Sequence, residues 1–276
     1  MRKIILLLLI IFLLHPLISC NGEYKKISAL RVTFFDVDQG DSILIEYKDK
    51  KILIDGGPEY TEKKLKGYLK EKKIKKLDYV IATHPHEDHI GGLDKIIKSF
   101  KIGNFYAPKK IESTKSFYDV VKALRDKNLK IYNTSSPYNI TLDNEAGLYF
   151  LSPDNDTYDN TNNYSIVILL KYKDVSFLFA GDAEKEIEEE LLLKYKGLKA
   201  QVLKLGHHGS KTSSSMEFIS SLSPNYGVIS CGLGNDYNHP SKEVLATLKE
   251  LKVIPLRTDL QGTIVIESDG SNIHAP

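Results

Sequence analysis

Cysteine is nearly missing from this 276-residue sequence: Cys20 and Cys231 are the only two. A scaffold stapled by several disulfides is thereby excluded, and the fold has to rest on a packed core. Cys231 follows the apolar stretch Val228-Ile229-Ser230 and reads as a small buried side chain rather than a metal ligand. Excess charge is missing too, with 38 lysines and arginines against 36 aspartates and glutamates. Without Arg2 and Lys3 the balance is 36 against 36, which removes any global electrostatic case for nucleic-acid binding. A local excess persists between Lys48 and Lys76, where eleven lysines meet five acids. Such a run reads as a solvated helix face. There is no Pro- or Ser-rich linker in the interior, no short repeat, and no histidine between His89 and His207.

Long hydrophobic runs are also scarce. Ile4 to Leu14 is unbroken but spans only about 11 residues, too few to cross a hydrocarbon core of about 30 Å comfortably. It follows Arg2 and Lys3 and precedes Leu17-Ile18-Ser19-Cys20, the order of an export signal ending in a bacterial lipobox. Residues 1–19 are therefore expected to be a lipoprotein signal peptide, with lipid on Cys20 and a short tether over residues 20–29. Residues 30–276 then form one folded domain, extracytoplasmic and attached to the membrane through that lipid. If Cys20 carries lipid, Cys231 has no disulfide partner.

Within the domain the pattern runs twice from strands to helices. Arg31–Phe35, Ser42–Tyr47 and Lys51–Ile54 predict a meander, Glu62–Lys72 a charged helix, and Tyr79–Ala82 a short strand. Helices are predicted over Leu93–Phe100 and Phe117–Asn128. Strands resume at Leu148–Leu151, Ser165–Tyr172 and Val175–Ala180, before a helix at Glu184–Tyr195. Val202–Leu205, Tyr226–Ser230, Val253–Leu256 and Thr263–Glu267 are further strands, with a helix at Lys242–Lys249. Asn133–Asn139 and Pro153–Asn163, rich in Asn, Asp, Ser and Thr, read as surface loops. This predicts an α/β fold, two sheets face to face with helices outside. Asp55, His84, Asp182 and His207 each follow the end of an apolar strand, where a rigid scaffold can carry chemistry.

The histidines concentrate the chemistry. His84, His86, His89, His207, His208 and His239 lie in polar, loop-like clusters, whereas His274 sits alone in the tail. In Thr83-His84-Pro85-His86-Glu87-Asp88-His89-Ile90-Gly91-Gly92, four ligand-type residues fall within six positions. Imidazoles one residue apart can point the same way from an extended loop, so His84 and His86 would hold one ion. Asp88 and His89, at the turn into a helix, would face a second. Gly91 and Gly92 are expected to let the backbone pass close to the metals.

That segment resembles the HxHxDH signature of the metallo-β-lactamase superfamily. Phe34-Phe35-Asp36-Val37-Asp38-Gln39-Gly40-Asp41-Ser42 resembles the FxDVGQGDS opening of ComEC-type hydrolase domains. Asn162-Asn163-Tyr164-Ser165, Gly181-Asp182, His207-His208-Gly209-Ser210 and Asn238-His239-Pro240 are similar to that subgroup in order and spacing. The resemblance covers about residues 30–268. It implies a four-layer αββα sandwich, two divalent ions (zinc or manganese), and Asp182 as a carboxylate bridging them. It implies one late histidine ligand from the His207-His208 pair, with His208 the preferred ligand and His207 either supporting the ligands from behind or facing the substrate. His239 would lie near the substrate, as proton donor to a leaving group or as a hold on a phosphoryl oxygen. Asp55 is expected to position the histidine loop.

Two departures qualify the likeness. Where many superfamily members carry a further histidine, this chain has Asn163, so the first ion's site is expected to be poorer in ligands and to favour harder ions such as manganese. Asp38 stands where the subgroup has glycine; if φ is positive there, Asp tolerates it well. The leading expectation is a metal-dependent phosphodiesterase or nuclease acting on extracytoplasmic DNA, with Asp88, His207 and His239 at the reacting centre. Small-substrate phosphodiester hydrolysis like that of phosphorylcholine esterases, lactam or ester hydrolysis, and non-catalytic binding stay open as alternatives. No protein partner is expected.

Overall fold

Alternation along the first strands decides how the layers form. In β1 (Leu30–Phe34), β2 (Ile43–Tyr47) and β3 (Lys50–Ile54), Val32, Phe34, Ile43, Ile45, Ile52 and Ile54 enter the core between the sheets. Leu44 and Leu53 point the other way, into a second core beneath helices. Both faces are buried, so these strands read as near-continuous apolar runs. The computed structural model describes residues 30–276. The expected signal peptide, Cys20 and the tether lie outside the described residues. No helix among the described residues is long and apolar enough to cross a membrane.

The first sheet continues through β4 (Lys76–Ile81), β5 (Lys101–Ala107) and β6 (Ile131–Asn133), all parallel to β3. The second contains β7 (Tyr138–Thr141), β8 (Ala146–Phe150), β9 (Ile168–Tyr172), β10 (Val175–Phe179), β11 (Val202–Lys204), β12 (Tyr226–Ile229) and β13 (Ile254–Arg257). The chain then returns. β14 (Ile264–Ser268) pairs antiparallel with β1, and β15 (Ile273–His274) pairs with β14. The first sheet thus has order β15-β14-β1-β2-β3-β4-β5-β6, and the second runs from β13 to β7.

Each outer layer is an amphipathic helix face read at i, i+4. On the first sheet, α1 (Glu62–Glu71) buries Leu65 and Leu69. The short α2 (Glu87–Ile90) leads into α3 (Leu93–Ser99), which buries Leu93 and Ile97, and α4 (Lys115–Asp126) buries Val120 and Leu124. On the second, α5 (Lys185–Lys194) buries Ile187 and Leu191, α6 (Met216–Leu222) buries Phe218 and Leu222, and α7 (Lys242–Glu250) buries Val244 and Leu248. A last short turn of helix, α8 (Thr258–Gln261), precedes β14. The architecture is the expected αββα sandwich.

Some strands differ from the sequence reading. β5 pairs between β4 and β6, although no strand was expected over its residues. Asn133–Asn139 is not simply a loop: its ends belong to β6 and β7, the edge strands between which the chain crosses from one sheet to the other. Edge strands pack on one side only, so β6 is exposed throughout and carries no apolar alternation. The lysine-rich segment is a solvated face with local pairing. Lys64 meets Asp36 at 2.6 Å and Lys72 meets Glu46 at 3.1 Å.

The inter-sheet core admits a direct test. Ile168 is fully buried between the sheets. Ile168→Val should cost about 1 kcal/mol. Urea unfolding should show a lower midpoint with an unchanged slope.

Candidate metal centre

β4 ends at Ile81 and delivers Thr83 and His84 to the rim of the sandwich. Asp55, just past β3, fixes them. Its carboxylate accepts from the Thr83 amide at 2.8 Å and from Thr83 Oγ1 at 2.7 Å. It also accepts from His89 Nδ1 at 2.8 Å. α2 starts immediately after His86, so Asp88 and His89 leave its first turn toward the same point as His84. The expectation for Gly91 and Gly92 needs correction. A Cβ on Gly92 would collide with the Gly56 carbonyl, and one on Gly91 with Glu59 N and Glu87 O. These glycines admit the Asp55–Glu59 loop, not the metals; that loop's closeness follows from β3 and β4 being neighbours, which the local sequence does not reveal.

The opposite wall comes from the second sheet. After β10, Gly181 takes φ +55° and Asp182 turns inward. The Asp182 amide donates to Ser165 Oγ at 3.0 Å, and Ser165 Oγ lies 3.3 Å from His84 Nδ1. Asp182 does not cap the following helix; Glu184 holds that position. After β11, His207 and His208 adopt φ +48° and +54° in succession. Left-handed backbone costs a non-glycine residue roughly 1–2 kcal/mol, and paired occurrences concentrate at functional sites. The turn aims the two rings differently. His208 Nδ1 donates to the Ser230 carbonyl at 2.9 Å, leaving Nε2 3.1 Å from Asp88 Oδ2 and 3.6 Å from Asp182 Oδ2.

Two ligand groups result, each with its donor atoms within 4.8 Å of one another. His84, His86 and Asp182 form one; Asp88, His89, Asp182 and His208 form the other. Asp182 is common to both. His84, His89 and His208 spend Nδ1 on protein partners and turn Nε2 inward, the usual way a ligating imidazole is oriented. His89 Nε2 and Asp182 Oδ1 lie 3.2 Å apart, wholly buried, and neither makes a hydrogen bond. Buried polar atoms are rarely left so. Mixed imidazole and carboxylate donors converging with unsatisfied atoms fit divalent cations. In a third grouping, Asp41 with Asp55 and His89, Asp55 pairs with His89 and Asp41 Oδ2 with Lys204.

The electrostatics are consistent with a cation site. Burial works against the charge of Asp182, yet His89 and His208 hold its carboxyl well below the ordinary range. Burial likewise opposes a positive His208, but Asp182, Asp41 and Asp88 push it up to about 10. His84, by contrast, is buried and faces His89, and both hold it well below the usual imidazole range.

The other expected residues surround this cluster. His207 joins neither group; its ring is 25% exposed, with Nδ1 3.2 Å from Thr212 Oγ1 and 3.4 Å from Glu184 Oε1. His239 is half-buried, its ring centroid 5.6 Å from His207 and 6.3 Å from His208, and its Nδ1 has no partner. Burial, then the neighbouring histidines, lowers it to about 4, so at neutral pH it is uncharged. Asn163 spends its side chain on protein partners. Its carbonyl accepts from the Glu184 amide at 3.0 Å and its NH2 donates to Glu186 at 2.6 Å, so it shapes the entry to α5. Ser165, nearer His84, was missed. The first group does have fewer donors, three against four. Asp38 adopts φ +62°, as its place in the glycine position requires. Cys231 is fully buried and His274 lies on an exposed edge.

A buried ion pair beneath the cluster was also missed. Lys204 Nζ lies 2.8 Å from Asp41 Oδ2, both side chains at most 2% exposed, and Asp41 Oδ1 is 3.6 Å from His208 Nδ1. Burial opposes the Asp41 charge, but Lys204 and His208 hold it at about 2. One clue was present: Lys204 is a lone charge inside the apolar run Val202–Leu205.

Comparison with known proteins agrees with this geometry. Residues 35–233 match the family model described as the metallo-beta-lactamase superfamily. The chain is 33% identical to ComE operon protein 3 of Bacillus subtilis, over 92% of this chain and 34% of that protein. It is 29% identical to competence protein ComA of Neisseria gonorrhoeae, again over 92% and 34%. It therefore spans about a third of the length of these relatives. Among solved structures, the metallo-beta-lactamase fold protein YhfI from Bacillus subtilis has a TM-score of 0.58 at 12% identity, over 90% of this chain and 100% of that one. A layered sandwich, a histidine–aspartate cluster at its rim and matching relatives lead to one assignment: the chain belongs to the metallo-β-lactamase superfamily of metal-dependent hydrolases, in the branch of the ComEC-type competence proteins.

Proposed function

We propose that this domain is a phosphodiesterase that cuts DNA outside the cytoplasm, tethered by lipid on Cys20. The observation that carries the reading is the pair of adjoining ligand groups sharing Asp182. His84, His86 and Asp182 would hold one divalent ion, zinc or manganese, and Asp88, His89, Asp182 and His208 the other. Such ions supply Lewis acidity toward phosphoryl oxygens and an activated water. The protein's own groups do the rest. Asp88, with one oxygen on His208, orients the nucleophile through its other oxygen. His207, on the open side, faces the departing group and can pass it a proton. His239, neutral, holds a phosphoryl oxygen by hydrogen bonding. The resemblance to ComEC-type hydrolase domains favours DNA as substrate.

The purified chain after Cys20 should cleave single-stranded DNA when supplied with manganese or zinc and lose that activity in EDTA. Bis-p-nitrophenyl phosphate and nitrocefin are assayed beside it. Turnover of nitrocefin alone overturns the phosphodiesterase reading; turnover of the small diester alone moves the substrate away from DNA. Cys20→Ser should release the full-length protein from membranes; unchanged attachment and mass would remove the lipid.

A further inference from the structure

Three of the five most exposed large apolar side chains among the described residues meet at one groove: Leu233 at 76%, Tyr237 at 68% and Tyr60 at 67%. The groove encloses about 470 Å³ and ends on Asp88, a member of the second ligand group. Exposed apolar groups gathered beside a reactive centre mark a contact surface. Their arrangement is specific. The Tyr237 ring lies 5.7 Å from His239 at 25°, and His239 lies 6.3 Å from His208 at 28°. A column of roughly parallel rings therefore leads from the ligand cluster to the solvent, and Tyr237 is its outer member. Tyr60 is tied to the groove's edge by its hydroxyl, which donates to Asp38 at 3.2 Å.

The charge of the lining decides what enters. Asp38, Glu87 and Asp236 line the groove, and no lysine or arginine does. A backbone phosphate is repelled there. A flat, uncharged ring carrying amino or imino donors is not: it stacks on tyrosine and gives its hydrogens to the carboxylates. We propose that the Tyr60–Tyr237 groove is a nucleobase subsite, seating the base adjacent to the scissile phosphate. The proposal rests on the DNA-phosphodiesterase reading and adds how a chain without excess charge retains its substrate. Stacking on an aromatic ring is sequence-tolerant and compensates for a weak electrostatic hold on the backbone.

The test is a cycle between the groove and the substrate. Single-stranded DNA is prepared intact and with an abasic residue at each position flanking a defined cleavage point. It is incubated with manganese-loaded wild type, Tyr237→Ala, Tyr60→Ala and the two Phe variants. In wild type, one abasic position should lower kcat/KM about tenfold or more. Tyr237→Ala and Tyr60→Ala should cause a similar loss on intact DNA and little further loss on that abasic substrate, and the Phe variants should stay near wild type. Both tyrosines are exposed, so thermal melting should match wild type and exclude misfolding. Ala variants that cut intact DNA as well as wild type overturn the subsite while leaving the phosphodiesterase reading in place. So does inhibition by choline, relieved in the Ala variants, without any abasic effect, since that marks an ammonium pocket. Failure of wild type to cut any DNA with manganese or zinc overturns the underlying reading instead.

Discussion

Asp182→Ala is expected to lower kcat/KM for phosphodiester hydrolysis by at least about a thousandfold, the equivalent of several kcal/mol of transition-state stabilisation. The reason is its shared position. Every other ligand candidate serves one group, whereas Asp182 serves both, 3.2 Å from His89 and 3.8 Å from His84. Its loss also leaves the facing histidines without their common carboxylate. Metal content measured after gel filtration should fall for both ions together, while circular dichroism keeps the wild-type shape. His207→Ala is the informative contrast. Because His207 joins neither group, that variant should retain its metal and lose mainly kcat. Equal metal content in Asp182→Ala and wild type would falsify the bridging role.

The second large effect is on stability. Lys204→Met should destabilise the fold by about 3–5 kcal/mol, because it leaves Asp41 charged and buried without its partner. Asp41 has no route to water, and its remaining neighbour, His208, is engaged with Ser230 and the cluster. The double variant Asp41→Asn/Lys204→Met should recover most of the loss, since removing both charges also removes both desolvation costs. Chemical unfolding of the two single variants and the double variant measures the coupling. Additive losses would show that the two residues act independently.

The contrast between these two sites shows what a sequence exposes. Four ligand-type residues in THPHEDHIGG are legible because they fall within six positions and because chemistry tolerates few other reasons for such a cluster. Asp182 and His208 are legible through spacing against a familiar pattern. Asp41 and Lys204 are not, because their partnership exists only once the two sheets close on each other. What Asn163 does in place of a histidine was not legible either: its side chain is held by the Glu184 amide and Glu186, partners that only the folded chain brings together. Buried strands with both faces covered, such as β2 and β10, show clearly as apolar runs. β6 and β7 do not, since an edge position relaxes the demand for apolar alternation. That a terminal strand near Thr263 exists was readable; that it lies against β1 is a fact of topology.

The candidate ligands divide between the two sheets: His84, His86, Asp88 and His89 follow β4, while Asp182 and His208 follow β10 and β11. The centre is therefore a seam, and its bite is set by how far one layer can slide over the other. A shift of an ångström between the layers would loosen both donor sets at once, without altering any ligand. Any affinity for ions there would in this sense be a reading of interlayer alignment, which packing such as Phe34 against Phe179, deep between the sheets, holds in place.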